Sequence, residues 1–94
     1  MPDLRSILTL QPKRVEIIGL EVFLKRPTIV DLAEMTEANE RDPKFARLFA
    51  LSRHILDADL KQVFPTPADA ESCPAKFAVD AIVEIEKLYG EGLD

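Results

Sequence analysis

At 94 residues, with 17 acidic against 12 basic side chains, a formal charge of −5 and 47% hydrophobic content, the chain has material for one hydrophobic core and reads as a single small domain. One cysteine, Cys73, and one histidine, His54, rule out an intramolecular disulfide, a cysteine-based zinc cluster and any mechanism that needs two imidazoles. No apolar run approaches the roughly 20 residues of a membrane helix. The start Met1-Pro2-Asp3 lacks a signal-peptide layout, so a cytoplasmic protein without membrane contact is expected.

The charge is uneven. Residues 1–30 hold five basic and three acidic side chains, and residues 68–94 hold two against seven. Copies with opposite ends of this kind are expected to associate head to tail as a homo-oligomer. A negative chain repels nucleic acid, and no basic stripe with interleaved aromatics is present, so no nucleic-acid partner is expected.

Residues 1–12 lack clear periodicity; Leu4, Ile7, Leu8 and Leu10 suit an arm that orders on a partner. Lys13 to Arg26 is rich in β-branched residues around a lone glycine and predicts a hairpin. A two-residue turn at Gly19-Leu20, glycine first, would set Ile17 opposite Val22 and Val15 opposite Leu24. That register gives one apolar face and one mixed face. Pro27 ends the second strand, and Thr28 with Asp31 three residues on predicts a capped helix to about Ala38. Its inward face would be Ile29, Leu32, Ala33 and Thr36, followed by a break at residues 39–41.

Asp42-Pro43 marks the next helix start, with Phe45, Leu48, Phe49, Ser52, Ile55 and Leu56 as its stripe. Asp57-Ala58-Asp59 ends that helix, and residues 61–64 are extended. Thr66-Pro67 with Asp69 predicts a short helix to about Glu71. Pro74 then opens the last helix, to Tyr89, with Phe77, Ala78, Ala81, Ile82, Ile85, Leu88 and Tyr89 facing inward. Gly90 stands at a C′ position, and residues 91–94 form a tail. The expected fold is α+β, a hairpin packed on about three helices.

The residues that could carry chemistry are few. His54 with Asp57 three residues on reads as a cation at a helix C-terminus with a local partner. Asp57 and Asp59 alternate as in a calcium loop, but Gln62 and Ala68 occupy the places of its glycine and glutamate. Cys73 before Pro74 sits where a helix dipole would lower a thiol pKa, yet no acid–base partner is near in sequence; it reads as an N-cap or a packed small residue. Glu34, Glu37, Asp80, Glu84 and Glu86 belong to solvated helix faces. With glycine only at 19, 90 and 92, no phosphate-cradling loop exists. No enzymatic activity, cofactor or bound metal is expected. The surface left for partners is apolar: Ile18 and Phe23 on the mixed hairpin face, and Leu51 off the main stripe of its helix.

The run Val22-Phe23-Leu24-Lys25-Arg26-Pro27-Thr28 resembles the opening of tail assembly chaperones from long-tailed, siphovirus-type bacteriophages and prophages. The stretch Phe45 to Phe64 extends the likeness, with Ser52-Arg53-His54-Ile55-Leu56-Asp57, a turn through Asp59, then Lys61-Gln62-Val63-Phe64-Pro65-Thr66. The ending Glu86-Lys87-Leu88-Tyr89-Gly90 is similar too, so the resemblance spans about residues 13–90. One departure is that Leu60 or Lys61 stands where the family commonly has glycine. The resemblance implies a non-enzymatic viral chaperone that acts in the host cytoplasm and is absent from the mature virion. Its partners would be the tape-measure protein, which it coats, and tail-tube subunits. Many members are also extended by a translational frameshift. The residues read without the resemblance are equally compatible with a small bacterial protein-interaction or adaptor domain.

Overall fold

The computed structural model describes residues 11–91. The arm expected over residues 1–12 lies, apart from Gln11 and Pro12, outside the described residues, as do residues 92–94 of the expected tail. The described chain is an α+β domain. It runs β1 (Lys13–Ile17), β2 (Leu20–Leu24), α1 (Ile29–Arg41), α2 (Pro43–His54), β3 (Ile55–Leu56), a 3-10 turn (Asp69–Ser72) and α3 (Ala75–Glu91). The strands form one antiparallel sheet in the order β1-β2-β3.

The hairpin forms, but its turn is Ile18-Gly19 rather than Gly19-Leu20. Ile17 pairs with Leu20, Val15 with Val22 and Lys13 with Leu24. Both turn residues have positive φ, 45° at Ile18 and 82° at Gly19, as a two-residue turn of the I′ kind requires. The pairing differs from the expected one by two positions, and a shift of two keeps each side chain on its own face. Ile17, Val22 and Leu24 therefore still enter the core. On the other face Glu16 meets Glu21 directly. Arg14, diagonally across, relieves that like-charge pair with a 2.6 Å ion pair to Glu21.

Thr28 caps α1 as expected, in a reciprocal box. Its Oγ1 accepts from the Asp31 N–H at 3.2 Å, and its own N–H donates to the Asp31 carboxylate at 2.9 Å. The helix continues through residues 39–41, and the break is Asp42 alone, which closes α1 with its N–H and caps α2 with its side chain. The inward face of α1 is not the expected one. Asp31 and Ala38 are buried and Met35 half-buried, while Ile29 is 83% exposed and Val30 56%. An ion-pair network seats Asp31 inward, and this rotation turns the apolar residues of the first turn out.

In α2 the stripe is also rotated. Ala46, Ala50, Leu51 and Ser52 are buried, and Phe45 and Phe49 sit half-buried under the Arg41 and Arg53 guanidinium groups, at 5.4 and 4.7 Å from the ring centres. The helix stops at His54, because Ile55 and Leu56 pair with Leu24 and Phe23 as a third strand. Gln62 then bridges Leu56, and its amide donates to the Ser52 carbonyl, satisfying the end of α2. Asp57 shapes the intervening turn, its Oδ1 accepting from the N–H groups of Asp59 and Lys61 at 2.8 and 3.1 Å. Leu60 in that turn has φ 62°, a conformation costing a non-glycine residue about 1–2 kcal/mol. Leu60→Gly is therefore expected to raise stability by about 0.5 kcal/mol after the entropy of glycine is offset, read as a small upward shift of the thermal midpoint.

The short helix after Thr66-Pro67 is the 3-10 turn, held by mutual Thr66–Asp69 hydrogen bonds. The stripe of α3 matches expectation: Phe77, Ala81, Ile85 and Leu88 are buried, and Ala78, Ile82 and Tyr89 pack half-buried against the same core. The helix does not end at Gly90 but includes it and Glu91.

Candidate functional site

The most concentrated chemistry lies where β2, α1, α2 and α3 meet. Asp31 is 1% exposed. Its carboxylate accepts from Lys25 Nζ, from Arg53 at 2.6 Å and from the Thr28 backbone. Arg53 uses its second nitrogen on Glu34 at 2.5 Å, so one guanidinium ties two turns of α1 to α2. Burial acts to raise the Asp31 pKa, but these hydrogen bonds outweigh it and hold the carboxyl at about 2.

His54 is fully buried beside this network. It has no bond to Asp57. Its Nδ1 lies 2.7 Å from the Lys25 carbonyl oxygen and its Nε2 2.7 Å from the Tyr89 hydroxyl. A carbonyl can only accept, so Nδ1 carries the proton and neutral Nε2 accepts from Tyr89. Burial is the main force pushing the imidazole pKa below its ordinary value, and burial likewise pushes the Tyr89 phenol up. The expectation of a charged histidine at a helix end is thereby corrected: a 0% exposed ring with both nitrogens engaged favours the neutral form. Among the described residues, no buried side-chain nitrogen or oxygen lacks a partner. The network spends its polar groups on one another and joins four elements.

The Cys73 thiol is half-buried, and burial raises its pKa, opposite to the lowering a helix dipole would give. Among the described residues no group of three or more His, Cys, Asp or Glu side chains is placed to hold a metal ion, and no helix is long and apolar enough to cross a membrane.

The three residues expected to meet partners separate. Ile18 is 44% exposed at the hairpin tip, Phe23 is half-buried in the central strand opposite Leu56, and Leu51 is 2% exposed in the core cluster. Leu51 is corrected to a core residue, because the rotation of α2 turns it inward. Apolar surface missed in the sequence includes Ile29, Val30 and Leu32 on α1, and Leu20 beside the tip. A groove of about 390 Å³ opens among the helices, lined by Leu32 and Met35, Ala46 and Ala50, and Ile82 and Tyr89, with Arg47 and Glu86 at the same groove. No family model, curated protein or solved structure matches the chain.

Proposed function

We propose that the chain is a tail assembly chaperone of a long-tailed bacteriophage or prophage, a non-enzymatic protein whose clients are the tape-measure and tail-tube proteins. The observation that carries this reading is the outward turn of α1. A helix that buries a charged face and leaves Ile29, Val30 and Leu32 exposed offers apolar surface to another protein. The resemblance over residues 13–90 names the kind of protein. Leu60, one of the two residues at the place where the family commonly has glycine, holds a positive φ, a conformation that glycine adopts freely.

The test mixes the purified chain with the tape-measure protein encoded in the same gene cluster. The wild type is expected to keep that protein in solution and to co-elute with it. Ile29→Asp combined with Val30→Asp should abolish co-elution, while the melting temperature stays close to wild type. Both positions are exposed in the first turn of α1, where a carboxylate suits the helix dipole. Equal precipitation of the tape-measure protein with and without the chain overturns the reading.

A further inference from the structure

We infer that residues 1–10 fold back on their own domain and seal the groove among the three helices, an intramolecular cover. The first observation is where the chain enters the fold. Arg26 Nε donates to the Gln11 carbonyl at 2.9 Å, so the arm joins the described residues beside the end of β2, three residues ahead of α1. From there α1 offers a line toward the groove. Ile29, Leu32, Thr36 and Asn39 follow the three- and four-residue spacing of one helix face; Ile29 is 83% exposed, and the other three line the groove. The opposite wall is as near. From the Lys25 carbonyl, one imidazole and two 2.7 Å hydrogen bonds lead to Tyr89, which also lines the groove. Ten extended residues reach about 33 Å, and Ile29 to Asn39 spans about 15 Å, so the arm is long enough.

The arm's own residues fit the opening. Wound as a helix, residues 3–8 set Leu4, Ile7 and Leu8 on one face. A helix so short does not hold in water by itself, so its order has to come from a surface under that face. An apolar cavity of about 150 Å³ takes the carbons of one benzene molecule. At that density the groove's 390 Å³ among Leu32, Met35, Ile82 and Tyr89 has room for about 15 carbons, against about twelve in the three aliphatic side chains. Charge agrees with shape. Asp3 and Arg5 flank the stripe on its two sides, each about 100° away. Arg47 of α2 and Glu86 of α3 stand on two walls of the groove, and among the described residues neither is in an ion pair. Docking sets Asp3 toward Arg47 and Arg5 toward Glu86. A tether this short holds the arm at an effective concentration of about 1 mM or more, so three side chains suffice where a separate peptide would not bind. The cover stands without the chaperone reading; under that reading, a client that takes Leu32 displaces the arm.

Amide hydrogen exchange of the purified full chain tests it. In the wild type the amides of residues 7–9 are expected to exchange at least about 10-fold more slowly than those of an unstructured chain. The protection should be the same at about 10 µM and about 1 mM, because docking within one chain does not depend on concentration. Leu32→Lys, at the groove and distant in sequence, should return those amides to the unstructured rate while the domain keeps its wild-type circular dichroism spectrum. Ile7→Asp combined with Leu8→Asp should do the same. By opening the groove, that double variant should also raise the fluorescence of anilinonaphthalene sulfonate, a dye that binds exposed apolar surface, at least about 2-fold. Wild-type arm amides at the unstructured rate overturn the inference. So does unchanged dye fluorescence in the double variant, or protection that survives Leu32→Lys. Protection that grows with concentration overturns it too, since it places the arm on another copy. None of these readouts involves a client, so failure here and failure of the chaperone reading are told apart.

Discussion

Asp31→Ala is expected to lower stability by about 3 kcal/mol, a fall of roughly 15 °C in melting temperature for a domain of this size. Removing one member of a buried ion pair costs about 3–5 kcal/mol when its partner is left without water. Lys25 and Arg53 keep side-chain exposures of 38% and 30%, so both partly rehydrate and the charge share falls below that range, to about 2 kcal/mol. Loss of the bond from the Thr28 N–H adds about 1 kcal/mol, the usual worth of a cap. Asp31→Asn separates the two shares, because an amide oxygen can still accept from Thr28 while the charge is gone. It should recover only about 1 kcal/mol of the deficit. Thermal unfolding followed by circular dichroism at neutral pH reads both values. A fall of only a few degrees for Asp31→Ala would mean that the network contributes little beyond the packing around it.

The same residue marks the limit of what the sequence discloses. Asp31 as an acidic third residue of a capped helix is a local pattern, and it was legible. Its ion pairs reach back to Lys25 and forward to Arg53, and no local periodicity encodes such pairing. Without it, Ile29, Leu32, Ala33 and Thr36 are the natural inward stripe; with it, the helix rotates and they face water. The α2 stripe fails for a related reason, since Ile55 and Leu56 fit the helical spacing until β2 takes them as strand partners. By contrast the inward stripe of α3, whose seven apolar positions follow one period without a competing charge, was readable, whereas its end was not, since the helix runs on through Gly90 to Glu91. The hairpin faces were readable because side-chain parity survives a two-residue change of register, whereas the turn itself was not: glycine satisfies only one of the two positive φ values, and nothing in the sequence shows that Ile18 accepts the other. At the polar site His54 was noticed, but its partner Tyr89 lies 35 residues away, so the sequence offered Asp57 instead.

That misplaced partner matters for the response to acid, where two steps of destabilisation are expected. Unfolded, the Asp31 carboxyl titrates near 3.8 and the His54 imidazole near 6.5; folding lowers both. Asp31 contributes its full stabilisation, about 2 kcal/mol, above roughly pH 4, and loses it as pH falls through about 2. His54 acts in the earlier window. Above its unfolded pKa the ring is neutral in both states and pH changes nothing. Below it the unfolded chain takes up a proton that the fold resists, so stability falls by at most about 1.4 kcal/mol per pH unit until the lowered pKa is passed. The charged groups around the ring are Asp31 of α1, which favours protonation, and Lys25 and Arg53, from the end of β2 and from α2, which oppose it; burial outweighs them all. Urea midpoints at pH 7 and pH 5.5 should therefore fall with pH for the wild type. His54→Asn can still donate toward the Lys25 carbonyl but leaves the Tyr89 hydroxyl without its acceptor, a loss of about 1–3 kcal/mol at pH 7. As the chain has no other histidine, the variant's midpoint should be nearly constant between those two pH values. A variant that kept the wild-type slope, or a flat wild type, would place the protonation elsewhere and leave the buried ring without a part in the acid response.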